Sequence, residues 1–263
     1  PADLGGCDLT LWAVPTQHST AIAHLLRGAL PDAPTLSLSK GFEEGTHRRL
    51  SQVLADEAGL GRIGAVSGPS HAEEVAHGRP AFLVTAGPAP VVEAFIARAH
   101  GPLRLYSSTD LVGVEVAGAL KNVIAIAAGI GDGLRLGDNL KAALITRGLA
   151  EIRRLGRALG AEDATFAGLA GVGDLLTTCY SPHGRNRALG LAVAGGEDAA
   201  AWVRRVGMVA EGMWTCRAAL ALGQKHGVEL PLTSAVASVL WAARPVALAM
   251  EDLLARSPKE ENA

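Results

Sequence analysis

Residues 112–133, VGVEVAGALKNVIAIAAGIGDG, form an almost wholly apolar run of helical length, broken at its centre by Lys121 and Asn122. A helix with Ala, Val, Ile and Gly on every side has no face for water, so it must be buried. An ammonium half-way along such a helix is costly to bury unless something compensates it. Two readings of Lys121 stand at this point. It is either a structural lysine, ion-paired or carrying its charge out to water on its stem, or a lysine held in a dry site for proton transfer, its pKa lowered by desolvation.

The remaining composition narrows the partner. At 263 residues the chain can bury a large core, and two domains are expected. With 24 basic and 26 acidic residues, a net charge of −2 offers no electrostatic footprint for nucleic acid or an anionic membrane, so a small partner is expected. Aromatics are only 4%, so the core is assembled from small aliphatic side chains. Cys7, Cys179 and Cys216 are odd in number and widely spaced, which argues against a disulfide framework or a zinc site and fits a reducing cytoplasm. The first residues lack the basic and then apolar pattern of a signal peptide. The run at 112–133 is long enough to span a membrane, yet its glycines and Lys121 favour a buried helix, and no membrane span is expected.

Along the chain, short apolar runs at 7–15, 35–39, 63–66, 81–85 and 103–106 read as strands, and the segments between them carry helical spacing, as at 47–58, 71–77 and 88–99. This alternation predicts a doubly wound, mostly parallel sheet with ligands bound outside the carboxyl ends of its strands. Three loops then matter: Pro15-Thr16-Gln17, Lys40-Gly41 and Ser67-Gly68-Pro69-Ser70. After Ser108 the strand signal ends. The expected division is a sheet domain over 1–108 and a helical domain over 109–263, with Asp110 or Thr109 capping the long helix. Helices are expected at 140–159, 187–193, 199–206, 211–226, 233–242 and 246–254, a loop at 170–173, and a frayed charged tail at 257–263.

Several residues could carry chemistry. Lys40 stands where a strand ends, followed by a glycine that permits close approach of a ligand. The turn at 67–70 could receive an anion on its N–H groups. Asp174 and Thr178 are four apart and share a helix face, although an Asp after Gly is most often a helix cap. Arg185-Asn186-Arg187 follows, and a guanidinium fork beside an amide suits a phosphate, with a solvated turn as the plainer reading. His71 and His77 have no metal-ligand spacing and are read as surface residues.

Taken in order, SKG (39–41), SGPS (67–70), GALKNVIAIAAG (118–129), LITRGLAE (144–151), GVGDL (171–175), RNR (185–187) and VAEG (209–212) closely resemble the NAD(P)-dependent glycerol-3-phosphate dehydrogenases of the bacterial type. The resemblance implies a Rossmann-like parallel sheet domain followed by an all-helical substrate domain. It also implies reversible reduction of dihydroxyacetone phosphate with NAD or NADP as cofactor, supplying glycerophospholipid synthesis. By this likeness Lys121 is the catalytic lysine and Asp174 the carboxylate beside it. Lys40, Gly68, Ser70, Thr178, Gly184, Arg185 and Asn186 join them in contacting a small phosphorylated substrate. Lys40, Ala72, Arg185, Val209 and Glu211 contact the cofactor. Gly184 stands where relatives often carry Ser, and can offer only its backbone N–H. The long apolar helices make a homodimer plausible.

The chain departs from the family in one respect. The strand, G-x-G-x-x-G turn and helix that hold the pyrophosphate are absent from these residues, so the sheet domain reads as truncated. Either these residues are a fragment of a larger protein or they cannot bind dinucleotide normally; the parent function is expected to be the dehydrogenase, and the 263 residues alone are expected to have weak activity or none. The alternatives are an inactive relative that binds a phosphorylated metabolite, and a 3-hydroxyacid or 6-phosphogluconate type of dehydrogenase.

Overall fold

A computed structural model describes residues 6–257. Five strands form one sheet in sequence order: β1 (Thr10–Trp12), β2 (Thr35–Ser37), β3 (Ile63–Ser67), β4 (Ala81–Ala86) and β5 (Leu103–Ser108). Strands β2 and β3 are buried at every position, as strands covered on both faces should be. The crossovers carry α1 (Thr16–Leu25), α2 (Leu50–Ala58), α3 (Ala72–Ala76) and α4 (Ala89–Ile96). The pairs β1–β2, β2–β3 and β4–β5 are parallel, whereas β3–β4 is antiparallel, with Ser67 opposite Val84. The sheet is thus mostly parallel, as expected, with that one pair reversed. The short α3 does not carry the chain back across the sheet, so β4 starts from the same edge at which β3 ends. The parallel run of β1, β2 and β3 nonetheless brings the turns at 15–17, 40–41 and 68–70 to one edge.

Every element after β5 is helical. The first is α5 (Leu111–Gly133), buried continuously from Val116 to Gly131 and packed against α6 (Gly137–Ala158). Asp110 caps α5, its carboxylate accepting Gly113 N–H at 2.8 Å. Among the described residues α5 alone is apolar and long enough to cross a membrane, and it is instead the axis of the helical core. A short helix that the spacing did not reveal, α7 (Asp163–Ala167), leads into a π-helical turn, Leu169–Gly173, and then α8 (Asp174–Tyr180). The expected loop at 170–173 is thus regular structure, closed by Gly173 N–H donating to Gly168 carbonyl at 3.2 Å. The remaining helices are α9 (Arg185–Ala194), α10 (Ala199–Val206), α11 (Gly212–His226), α12 (Pro231–Trp241) and α13 (Val246–Leu254). Helix α2 begins at Leu50 rather than at residue 47, because Phe42 bridges to Arg49 and His47 adopts a positive φ of 62°. The tail at 258–263 lies outside the described residues.

Helices α5 and α9 pass closer than ordinary side chains allow. A Cβ on Gly129 would stand 2.1 Å from Arg187 carbonyl, and one on Gly190 would stand 2.2 Å from Ile126 carbonyl. This close approach brings the first turn of α9 against the axis that carries Lys121.

Candidate active site

Lys121 is 7% exposed and its ammonium is not alone. It donates to Asp174 Oδ1 and, at 2.9 Å, to Thr178 Oγ1. Asp174, 2% exposed, takes its other contacts on Oδ2: Lys40 Nζ at 2.7 Å, Ser67 Oγ at 2.9 Å and Gly68 N–H at 3.1 Å. One carboxylate therefore gathers α5, α8, the loop after β2 and the end of β3.

The local chain explains how these groups meet. The π-helical turn delivers Asp174 to the start of α8, and Thr178 follows one turn later, its hydroxyl also donating to Asp174 carbonyl at 2.6 Å. Asp174 caps no helix here, because its carboxylate is committed to the two lysines and the β3 turn. Gly68 adopts φ of 138°, and a Cβ there would lie 2.5 Å from Phe82 carbonyl, so only glycine can turn its N–H toward Asp174. At Gly118 a Cβ would approach Ser67 Oγ to 3.0 Å and Lys40 Cγ to 3.5 Å, and its absence lets both side chains lie along α5.

Electrostatics follow from burial and charge. Burial pushes the Lys121 ammonium down, to about 7; the Asp174 carboxylate opposes this and the Lys40 charge reinforces it. Burial alone would raise Asp174, but Lys121 and Lys40 together hold it well below the usual carboxylate range. The group is a buried anion shared by two cations.

A second chain of polar contacts runs from this cluster into α9. Asn122 donates to Lys40 carbonyl at 3.4 Å, Asn186 donates to Asn122 Oδ1 at 3.0 Å, and Gly212 N–H donates to Asn186 Oδ1 at 2.9 Å. Arg185, beside Asn186, is exposed. Gly184 caps α9, with its N–H donated to Ser181 carbonyl at 3.3 Å, and it packs near Thr178 carbonyl. Glu211 reaches the loop after β1: its carboxylate accepts Thr16 N–H at 3.1 Å and the Gln17 amide at 2.9 Å. Burial raises Glu211, while those donors and the nearby Arg185 charge lower it. Ser70 donates to Gly68 carbonyl at 3.1 Å, on the half-buried turn beyond β3. Ala72 is exposed at the start of α3, and Val209 is half-buried two residues before Glu211.

Lys40, Gly68, Lys121, Asp174 and Thr178 thus form one connected group, joined through Asn122 to Asn186. Ala72 and Val209 are not part of it. Sequence reasoning marked the loops that hold Thr16, Gln17 and Ser67, and the interruption at Asn122, but gave none of these four a role as a site residue. Asn122 carried a signal, an amide inside an apolar helix next to the lysine; the other three depend on which strand ends face the helices. A separate cleft of about 640 Å³ between α6, α12 and α13 shares no residue with this group.

The family model for the NAD-dependent glycerol-3-phosphate dehydrogenase C-terminus matches residues 110–251, and that for the N-terminus matches residues 2–91. The chain is 48% identical to glycerol-3-phosphate dehydrogenase [NAD(P)+] 2 of Salinibacter ruber, over 99% of this chain and 78% of the relative. It is 46% identical to the glycerol-3-phosphate dehydrogenase [NAD(P)+] of Geobacillus kaustophilus, over 99% of this chain and 77% of the relative. The crystal structure of glycerol-3-phosphate dehydrogenase from Coxiella burnetii superimposes with a TM-score of 0.92 at 38% identity, covering 97% of this chain and 79% of that one. With both of its segments matched in order and an ionic cluster built across them, this chain belongs to the NAD-dependent glycerol-3-phosphate dehydrogenase family.

Proposed function

We infer that the chain interconverts dihydroxyacetone phosphate and sn-glycerol 3-phosphate by hydride transfer with NAD(P)H, in the cytoplasm, supplying glycerophospholipid synthesis. The observation that carries this reading is the buried Lys121–Asp174 pair with Lys40 on the same carboxylate. We propose in addition that residues 1–108 hold the cofactor and 109–263 the substrate, and that two copies associate as a homodimer.

An ammonium has three N–H donors. Lys121 commits two of them, to Asp174 and Thr178, which leaves one for the carbonyl oxygen of a ketone. In reduction Lys121 gives its proton to the oxygen as negative charge develops there, and in oxidation the neutral amine takes the proton from the hydroxyl. Asp174 orients the amine and stabilises its charged form. Lys40 adds a second positive charge at the mouth of the site. Arg185 and Asn186, at the positive end of α9, suit the substrate phosphate, with Gly68, Ser70 and Gly184 nearby on the two turns that border it.

The cofactor end of the site is supported by unmet polar atoms. Thr16 Oγ1 and Gln17 Oε1 are buried without a hydrogen-bond partner, beside the Glu211 carboxylate. A hydroxyl and an amide oxygen fit the carboxamide of a nicotinamide ring, and Lys40, Ala72, Arg185, Val209 and Glu211 would line the same end. The nicotinamide, when bound, supplies the hydride.

The assay is nicotinamide oxidation with dihydroxyacetone phosphate set against hydroxyacid substrates. In enzyme that carries the family's dinucleotide-binding turn, turnover of the phosphorylated ketone is expected, and Lys121→Ala there should lower kcat by about 100- to 10,000-fold while the cofactor still binds. Preference for a hydroxyacid, or an undiminished rate in Lys121→Ala, overturns the reading.

A further inference from the structure

Asp132 lies about three turns along α5 from Lys121 and shares no contact with the Lys121–Asp174 cluster. Its Oδ2 accepts hydrogen bonds from Arg187 Nε at 2.7 Å and Lys141 Nζ at 2.9 Å, and Arg187 Nη2 stands 2.7 Å from the same oxygen as an ion pair. Lys141 comes from α6, is 7% exposed, and holds its ammonium 4.3 Å from the centre of the Tyr180 ring at the end of α8. One carboxylate therefore ties α5 and α6 to the first turn of α9, with the end of α8 stacked on the same ammonium.

Arg187 occupies the same helical turn as Arg185 and Asn186. Its carbonyl rests over Gly129, where a Cβ would come within 2.1 Å, so the turn is held from beneath by backbone contact and from the side by Asp132. Asn186 faces inward to Asn122 and Gly212, which leaves Arg185 as the outward member of the turn. With Arg187 clamped, the rotation of about 100° between successive helical residues fixes where Arg185 points.

We propose that Asp132 is a positioning residue for the substrate phosphate: by clamping Arg187, it sets the direction in which Arg185 and the first N–H groups of α9 face. This rests on the reading that Arg185 and the first turn of α9, Asn186 through its backbone N–H, receive that phosphate. Asp132 touches neither substrate nor cofactor, and it acts on specificity rather than on proton transfer.

The test compares kcat/KM for dihydroxyacetone phosphate with that for dihydroxyacetone, which lacks the phosphate. Asp132→Asn keeps the volume and an acceptor but removes the charge, and Arg187→Lys keeps the charge but removes the fork. Each is expected to lower the ratio about tenfold through KM for the phosphorylated substrate, with the rate on dihydroxyacetone within about twofold of the parent. A merely structural role leaves the ratio in place, whether or not both rates fall together; an unchanged ratio in folded variants overturns the inference. If Asp132→Asn does not fold, Arg187→Lys decides. Arg185→Ala separates the two readings. Should it leave the ratio unchanged, the phosphate assignment itself fails; should it lower the ratio while the other two variants do not, only the positioning role fails.

Discussion

The proton affinity of Lys121 is set by burial and by two neighbours of opposite sign, and this gives a pH dependence with a definite direction. Below about 7 the side chain is an ammonium able to act as an acid; above that it is an amine able to act as a base. The kcat/KM for ketone reduction should therefore fall as pH rises through this region, while that for alcohol oxidation should rise. Lys40→Met removes a positive charge bound to the same carboxylate, so Lys121 becomes harder to deprotonate and both limbs should move to higher pH. Profiles measured in both directions check this, and a limb that moves to lower pH or stays fixed contradicts the shared-carboxylate picture. Lys121 was legible in the sequence because a charge inside an apolar run demands a partner. The partners were legible only indirectly: by local pattern Asp174 reads as a helix cap, and it entered as the lysine's carboxylate through the family resemblance, while Ser67 read only as part of a turn suited to an anion, until the fold brought both within bonding distance.

At the scale of elements, the contact between α5 and α9 makes one glycine indispensable and a near neighbour replaceable. Gly129→Ala would drive a methyl into Arg187 carbonyl, and a loss of about 1–3 kcal/mol is expected as the helices separate. Gly131→Ala, in the same helix, would place its methyl 3.5 Å from Leu144, an ordinary contact, and helix propensity then favours the variant by up to about 1 kcal/mol. Denaturant unfolding of the two variants should show opposite signs. Most elements could be read from hydrophobic period, and α10 and α13 fall at their expected residues. The failures share a cause. The π-helical turn and α7 are too short to show a period, and their glycines read locally as a loop. Their regularity comes from packing on α5 and on each other, Gly171 letting the turn close over Phe166 of α7.

For the molecule as a whole, the sheet and the helical core are stitched by polar groups reaching across from the helices. Glu115 of α5 accepts Ser51 N–H and Ser51 Oγ at 2.7 Å each and Arg49 at 2.5 Å, so it caps α2 from outside that helix. Glu115→Ala should lower stability by about 1–3 kcal/mol by leaving these donors unmet, and Glu115→Gln, which keeps an acceptor, should lose less. Equal losses in chemical denaturation would count against the cap. The doubly wound sheet was evident from alternating strand and helix signals, but the reversal at β4 was not, since an apolar run carries no mark of direction. The π-helical turn before Asp174 has a wider bearing. It is wound one residue looser than an α-helix, so the aim of the carboxylate depends on how many residues precede it as much as on which ones they are. Deleting a single residue there would swing Asp174 about 100° around the axis and disarm the enzyme with every one of its reactive side chains still present.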